Sequence, residues 1–133
     1  MIVLDTHTLI WWVSGSRKLP PVTKQLLDAE TDPSGEVHVS AISAWEIAML
    51  VRAGRLELTL DVSDWIAKCE AAPFIRFVPV DNRIALRSVE LPSFPHSDPA
   101  DRIIVATALT LGASLVTSDK RLANYDPIKT IWN

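Results

Sequence analysis

Three long stretches of this sequence are almost free of formal charge, and each contains or borders an isolated carboxylate. They are residues 1–16 with Asp5, residues 37–51 with Glu46, and residues 103–118, which lie between Asp101 and Asp119. Removing an unpaired carboxylate from water is very costly. We therefore expect these carboxylates to be protonated, paired, used as helix caps or bound to a metal ion.

The apolar stretches also predict the fold, because short apolar runs alternate with segments of helical spacing. A run of four apolar residues is too short for a helix and fits a strand buried on both faces. The predicted strands are Met1–Leu4, Val37–Ser40, Phe77–Val80, Ser114–Thr117 and a marginal Ile128–Trp132. The predicted helices are Thr8–Val13, Val22–Glu30, Ala41–Ala53, Asp61–Ala72, Asp81–Glu90 and Ala100–Leu111. This alternation predicts a three-layer α/β/α fold with a central, mainly parallel sheet of four to five strands.

Composition restricts the class of protein. The 133 residues are 48% apolar and 22% charged, as in ordinary globular proteins, and we expect one domain over residues 1–133. The single cysteine, Cys69, excludes an internal disulfide. The net charge of −3 predicts no basic surface for nucleic acids, although metal ions could recruit a polyanion instead. No segment is long enough for a membrane helix and no signal peptide is recognisable, so we expect a cytoplasmic protein.

The isolated acids are expected to converge at one edge of the sheet. Asp5 ends the first strand and Asp119 follows the fourth, and ligands of open parallel sheets bind at the carboxyl ends of strands. Glu46 and Asp101 lie in the first two turns of their helices. Four clustered carboxylates cannot all stay ionised without cations. Hard oxygen ligands without histidine or cysteine indicate Mg²⁺ or Mn²⁺ rather than zinc.

Each acid also has a structural interpretation. Asp98 fits an N-cap, and Asp101, three residues later, would favour the helix dipole. Asp5 could cap the first helix and Asp119 could initiate a turn. Glu46 is hardest to explain this way, because its helical neighbours offer no cation.

Other residues with chemical potential have simpler predicted roles. His96 is expected to be a hydrogen-bonded loop histidine, and Lys120 and Arg121 to be solvated surface cations. The five tryptophans, Trp11, Trp12, Trp45, Trp65 and Trp132, are expected in the core or at a subunit interface. No glycine-rich phosphate loop or nucleophile elbow is present in the sequence.

Four segments together resemble the PIN-domain family, and within it the VapC-type toxins of bacterial toxin–antitoxin pairs. These segments are Ile2–Thr6, Ser43–Ile47, Asp98–Ala108 and Leu115–Asp119. Each segment alone is a weak signal, but all four occur in the family's order and spacing. The resemblance covers essentially the whole chain.

The resemblance implies a Mg²⁺- or Mn²⁺-dependent endoribonuclease. Its metal ligands and catalytic acids would be Asp5, Glu46, Asp101 and Asp119, with Asp5 and Asp101 as principal ligands. Thr6, Asp98, Thr117 and Ser118 match auxiliary positions around such a pocket. Metal-activated water would leave 5′-phosphate and 3′-hydroxyl ends on the RNA, with Glu46 helping to deprotonate that water.

The resemblance also implies protein partners. VapC-type toxins are restrained by a cognate antitoxin and tend to form homodimers. Apolar positions on the predicted helices Ala41–Ala53 and Asp61–Ala72 are candidates for those contacts.

Two alternatives stay open at this point. A PIN domain could bind RNA or protein without cleaving, although the complete acidic set favours catalysis. A receiver-type signalling domain has a similar length and also binds Mg²⁺. Such a domain would need an aspartate where Ser40 ends the second strand and a lysine ending a late strand, and the sequence supplies neither.

Overall fold

The computed structural model describes residues 1–32 and 35–132, which form strands and helices in alternation. The strands are β1 (Ile2–Leu4), β2 (Val37–Ser40), β3 (Ile75–Val78), β4 (Ser114–Val116) and β5 (Thr130–Ile131). The helices are α1 (Thr6–Ser14), α2 (Pro21–Asp28), α3 (Ala41–Arg52), α4 (Val62–Ala71), α5 (Asn82–Val89), α6 (Pro99–Leu111) and α7 (Lys120–Ala123). A 3-10 turn, Ala29–Thr31, continues α2.

The five strands form one parallel sheet in the order β3-β2-β1-β4-β5. The central strand β1 is in register on both sides, because Leu4 is opposite Val39 of β2 and Val116 of β4. The carboxyl ends of these three strands are therefore level. The residues that directly follow Leu4 and Val116 therefore lie at the same edge of the sheet.

Two hydrophobic clusters cover the two faces of the sheet. Ile2 and Leu4 of β1 belong to one cluster with residues of α1, α2 and α4. Val3 belongs to the other cluster with residues of α6 and α7, and α5 packs on α6. Because side chains alternate along a strand, β1 must be apolar on both faces, as its sequence is. The predicted three-layer α/β/α architecture is confirmed.

Several predicted boundaries were wrong by one or two residues. The third strand is Ile75–Val78 rather than Phe77–Val80, because Pro79 has no N–H group to donate to a neighbouring strand. Helix α1 begins at Thr6 rather than Thr8, since the Asp5 side chain caps it. The short helix α7 was not predicted at all.

Side chains at the carboxyl edge of the sheet cap four helices. Asp5, Ser40, Asp98 and Asp119 each accept a hydrogen bond from the backbone N–H groups of the helix that follows. Such caps satisfy backbone donors that have no partner within the helix.

Within residues 1–32 and 35–132, no helix has both the length and the apolar character of a membrane span.

We predict that alanine at either of two helix-ending glycines destabilises the protein through the backbone alone. Gly112 ends α6 with a φ of 66° and Gly54 follows α3 with a φ of 71°, and a Cβ atom at either would meet nothing within 4 Å. The Gly112→Ala and Gly54→Ala variants should each lose about 1 kcal/mol of unfolding free energy in urea denaturation. Gly112→Asn should lose less, and equal losses for alanine and asparagine would contradict this explanation.

Candidate functional site

A cavity of about 220 Å³ opens at the carboxyl edge of the sheet, and most of its lining is acidic. The lining residues are Asp5, Thr6, His7, Glu46, Asp98, Asp101, Asp119 and Arg121. The structure thus gathers the four acids singled out in the sequence, from α3, α6 and the ends of β1 and β4. Their convergence follows from the level strand ends described above.

Asp5 is held by two hydrogen bonds and has little freedom to move. Its Oδ1 accepts from the Thr8 backbone N–H at 2.8 Å, and its Oδ2 accepts from the Thr117 hydroxyl. The oxygen of the same hydroxyl accepts from the backbone N–H of Asp119 at 3.1 Å. Thr117 therefore links the two acids that follow β1 and β4, and it is buried as it does so.

Glu46 points into the cavity from the second turn of α3. The Thr6 hydroxyl donates to Glu46 Oε1, and Thr6 Oγ1 also lies 2.9 Å from the hydroxyl oxygen of Ser43. Burial raises the pKa of Glu46, and the negative charge of Asp98 adds to this, while the Thr6 hydrogen bond opposes it. The carboxyl group is thus oriented and holds its proton more strongly than an exposed glutamate.

Asp98 both caps a helix and lines the cavity, and Asp101 lies beside it in the first turn of the same helix. Asp98 Oδ1 caps α6 by accepting from the backbone N–H groups of Ala100 at 2.9 Å and Asp101 at 3.4 Å, and Asp98 also lines the cavity. Burial raises the pKa of Asp101 to about 7, aided by the neighbouring negative charges of Asp98 and Glu46. Asp101 therefore holds its proton far more strongly than an exposed aspartate.

Asp119 is paired with the basic side chain of Arg121. Burial alone would raise the pKa of Asp119, but hydrogen bonds from the Arg121 guanidinium and backbone outweigh it and lower that pKa. Arg121 Nε lies 3.3 Å from Asp119 Oδ1. The Arg121 side chain is 61% exposed, as expected for a solvated surface cation, and it also borders the cavity. Ser118 is exposed and lies outside the set of residues that line the cavity.

The predicted role of His96 as a hydrogen-bonded loop histidine was wrong. Its side chain is 8% exposed, and Nε2 lies 3.2 Å from Asp119 Oδ2 and 3.4 Å from Asp101 Oδ2. Neither contact has hydrogen-bond geometry, and within residues 1–32 and 35–132 neither ring nitrogen has a hydrogen-bond partner. The expectation of a cluster without histidine therefore also fails. The only sequence signal was its position two residues before Asp98.

The donor set fits a divalent cation. The cavity brings carboxylate oxygens from four chain segments together, and burial together with the neighbouring negative charges raises the pKa of Asp101. Ion binding would relieve this repulsion, because a cation favours the ionised carboxylates. His96, Asp101 and Asp119 can each offer one ligand atom, and these atoms lie within 4.8 Å of one another.

Comparison with known proteins identifies the family. The PIN-domain family profile matches residues 2–127. The chain belongs to the PIN-domain family. It is 34% identical over 134 aligned positions to ribonuclease VapC22 of Mycobacterium tuberculosis, and the alignment covers 98% of both proteins. This membership excludes the receiver-type alternative and confirms the resemblance given by the four sequence segments.

Solved structures show the same fold. A VapBC2 complex from Rickettsia felis, bound to a promoter DNA fragment, matches with a TM-score of 0.71 at 14% identity, covering all of both chains. FitAcB from Neisseria gonorrhoeae matches with a TM-score of 0.67 at 22% identity, covering 100% of this chain and 97% of that one. A toxin–antitoxin complex from Klebsiella pneumoniae matches with a TM-score of 0.66 at 24% identity, covering 96% and 95%.

We predict that Asp101→Asn stabilises the metal-free protein at high pH. The unfolded chain releases the Asp101 proton near pH 3.8, whereas the folded protein holds it until about pH 7. Ionisation of Asp101 therefore lowers the unfolding free energy as pH rises between these values. In urea denaturation with EDTA, the variant should be more stable than wild type at pH 8 by up to about 4 kcal/mol, and about equally stable near pH 4.

The matched control is Asp64→Asn. Asp64 occupies the third position of α4, as Asp101 does in α6, but it is exposed. This control should gain no stability at pH 8, because it loses only a favourable interaction with the helix dipole. Equal behaviour of the two variants would contradict the assignment of charge repulsion to the cavity.

Proposed function

We propose that the protein is a Mg²⁺- or Mn²⁺-dependent endoribonuclease and the toxin of a type II toxin–antitoxin pair. The observation that carries the proposal is the convergence of Asp5, Glu46, Asp101 and Asp119 on one cavity. The likeness to a VapC ribonuclease over almost its whole length supports the reaction. The complete acidic set supports an active enzyme rather than a PIN domain that only binds.

Each acid has a distinct role in this proposal. Asp5 and Asp101 are the principal metal ligands, and Asp119 completes the set. A bound divalent ion supplies a lowered pKa for water and neutralises charge that develops on the phosphoryl oxygens. The two hydrogen bonds to Asp5 fix one ligand before the ion arrives, which limits the ordering that binding must impose.

Glu46 is proposed to take the proton from the attacking water. Its pKa is raised by burial, which makes it a better proton acceptor than an exposed glutamate, and Thr6 fixes the position of Oε1. Attack by water, rather than by the ribose 2′-hydroxyl, breaks the bond from phosphorus to the 3′ oxygen. The RNA products then carry 5′-phosphate and 3′-hydroxyl ends.

We predict metal-dependent RNA cleavage that requires Asp5. With Mn²⁺ or Mg²⁺, the purified protein should cleave structured tRNA or rRNA, and both EDTA and Asp5→Asn should lower the rate by at least about 100-fold. Asn at position 5 keeps a side-chain oxygen for the helix cap but loses a charged ligand. Gel assays of labelled RNA, with end-group analysis of the products, measure the effect.

The control variant is Asp81→Asn. Asp81 caps α5 through the backbone N–H of Ile84 as Asp5 caps α1, but it lies away from the acidic cavity. It should cleave at the wild-type rate. If wild type with Mn²⁺ cleaves no RNA and behaves as Asp5→Asn does, the protein is a binding module instead.

We propose that the antitoxin docks beside the acidic cavity, along α3. Trp45 is 58% exposed and Met49 is 48% exposed, which is unusual for such large apolar side chains. Of the two helices predicted for partner contacts, α4 instead buries Trp65 and Cys69. A cavity of about 480 Å³ runs from Trp45 to Ile103 and shares Glu46 with the acidic site. The matched structures of toxin–antitoxin complexes support a protein partner.

We predict that a substitution on this surface of α3 weakens binding of the antitoxin. Expression should arrest growth, and co-expression of the neighbouring gene product should relieve the arrest. Trp45→Ala should weaken co-purification of that product by at least about tenfold, because it removes the largest exposed apolar side chain of α3. Leu86→Ala removes a 64% exposed side chain from α5 and should leave binding unchanged. Equal binding by both variants would place the antitoxin elsewhere.

The homodimer implied by the family resemblance and the cytoplasmic location expected from the sequence stay predictions. The exposed side chains on α3 and α5 offer apolar surface for subunit contact. Light scattering of the purified toxin, alone and with its neighbouring gene product, measures the oligomeric state directly.

A further inference from the structure

His96 occupies an unusual environment next to the proposed metal centre. Its imidazole is more than nine-tenths buried, and Nε2 lies 3.2 Å from Asp119 Oδ2 and 3.4 Å from Asp101 Oδ2. In the part of the chain that the structure describes, neither ring nitrogen makes a hydrogen bond. A buried ring nitrogen without a hydrogen bond is costly, so this arrangement requires an explanation.

The position of the His96 ring is set by packing rather than by the acids. The ring lies against Phe94 with centroids 5.0 Å apart. Phe94 in turn contacts Tyr125 edge-on at 5.4 Å, and the Arg102 guanidinium lies 5.0 Å above its face. The Tyr125 hydroxyl donates to the Pro92 carbonyl at 2.7 Å. These contacts fix the loop before α6, and Nε2 with it, beside the two carboxylates.

The distances from His96 Nε2 to the two carboxylate oxygens suit a shared metal ion. Octahedral ligands at about 2.1 Å from an ion stand roughly 3.0 Å apart, and tetrahedral ones stand roughly 3.4 Å apart. The two distances from Nε2 to carboxylate oxygens, 3.2 and 3.4 Å, fall within or next to this range. An ion between these atoms would give the unpaired nitrogen a partner and compensate both carboxylates.

We propose that His96 Nε2 is a nitrogen ligand of the metal centre, with Asp101 and Asp119, and that the centre therefore prefers transition-metal ions to Mg²⁺. The inference rests on the proposed function, because it concerns the ion of the same site. Imidazole nitrogen binds divalent transition metals well and Mg²⁺ poorly. The oxygen-only ligand set that the sequence indicated is replaced by a mixed nitrogen and oxygen set.

The test is a metal titration of the EDTA-stripped full-length protein at pH 8. Isothermal calorimetry measures the affinities for Co²⁺ and Mg²⁺, and visible absorption records the Co²⁺ ligand field. His96→Gln should weaken Co²⁺ binding by about tenfold or more and shift its absorption, while Mg²⁺ binding changes by less than about threefold. His7→Gln is the matched control, because His7 lines the cavity outside the ligand cluster and should keep the wild-type Co²⁺ affinity and spectrum.

A second measurement does not depend on the folding of a variant. Pulsed EPR of wild-type protein loaded with Mn²⁺ should show coupling to a directly bound nitrogen, and ¹⁵N labelling of histidine should change that signal. Absence of nitrogen coupling would overturn the assignment of His96 as a ligand.

The outcomes separate this inference from the proposed function. If wild type binds both ions and His96→Gln binds Co²⁺ with unchanged affinity and spectrum, His96 is only a neighbour of the acids and the inference fails alone. If wild type binds neither ion, the metal-dependent function fails as well.

Discussion

Repulsion among carboxylates at one edge of the sheet is the constraint on which the site depends. Asp5, Asp98 and Asp119 are each held by backbone N–H groups at the beginning of a helix. These N–H groups satisfy one oxygen of each acid and bring the positive ends of helix dipoles close to negative charge. The hydrogen bonds that cap α1, α6 and α7 therefore lower the energetic cost of clustering these carboxylates.

The caps leave part of the charge uncompensated. Asp101, in the first turn of α6, has a pKa raised to about 7 by burial and by its acidic neighbours. A protein selected only for stability would not retain such a group, because neutralising it would stabilise the fold. The hydroxyl groups of Thr6 and Thr117 donate hydrogen bonds that orient Glu46 and Asp5. This arrangement supports the proposed binding of a divalent ion.

The family comparisons and the acidic cavity both support the proposed function. The PIN-domain profile and the 34% identity to a VapC ribonuclease concern the whole chain. The more distant structures share the fold at 14–24% identity. The buried His96 and the exposed Trp45 are where the proposals place metal preference and partner recognition.

The sequence by itself determined the layers of the fold and the acids of the cavity. Apolar runs, helix caps and glycine ends are local signals, so five strands and the positions of Asp5, Glu46, Asp101 and Asp119 could be predicted. Strand β3 was displaced by two residues, and α7 was missed because four residues carry little periodicity. Only the tertiary structure decided that His96 joins Asp101 and Asp119. That contact depends on Tyr125 packing against Phe94 from a distant part of the chain, and no local pattern encodes such packing.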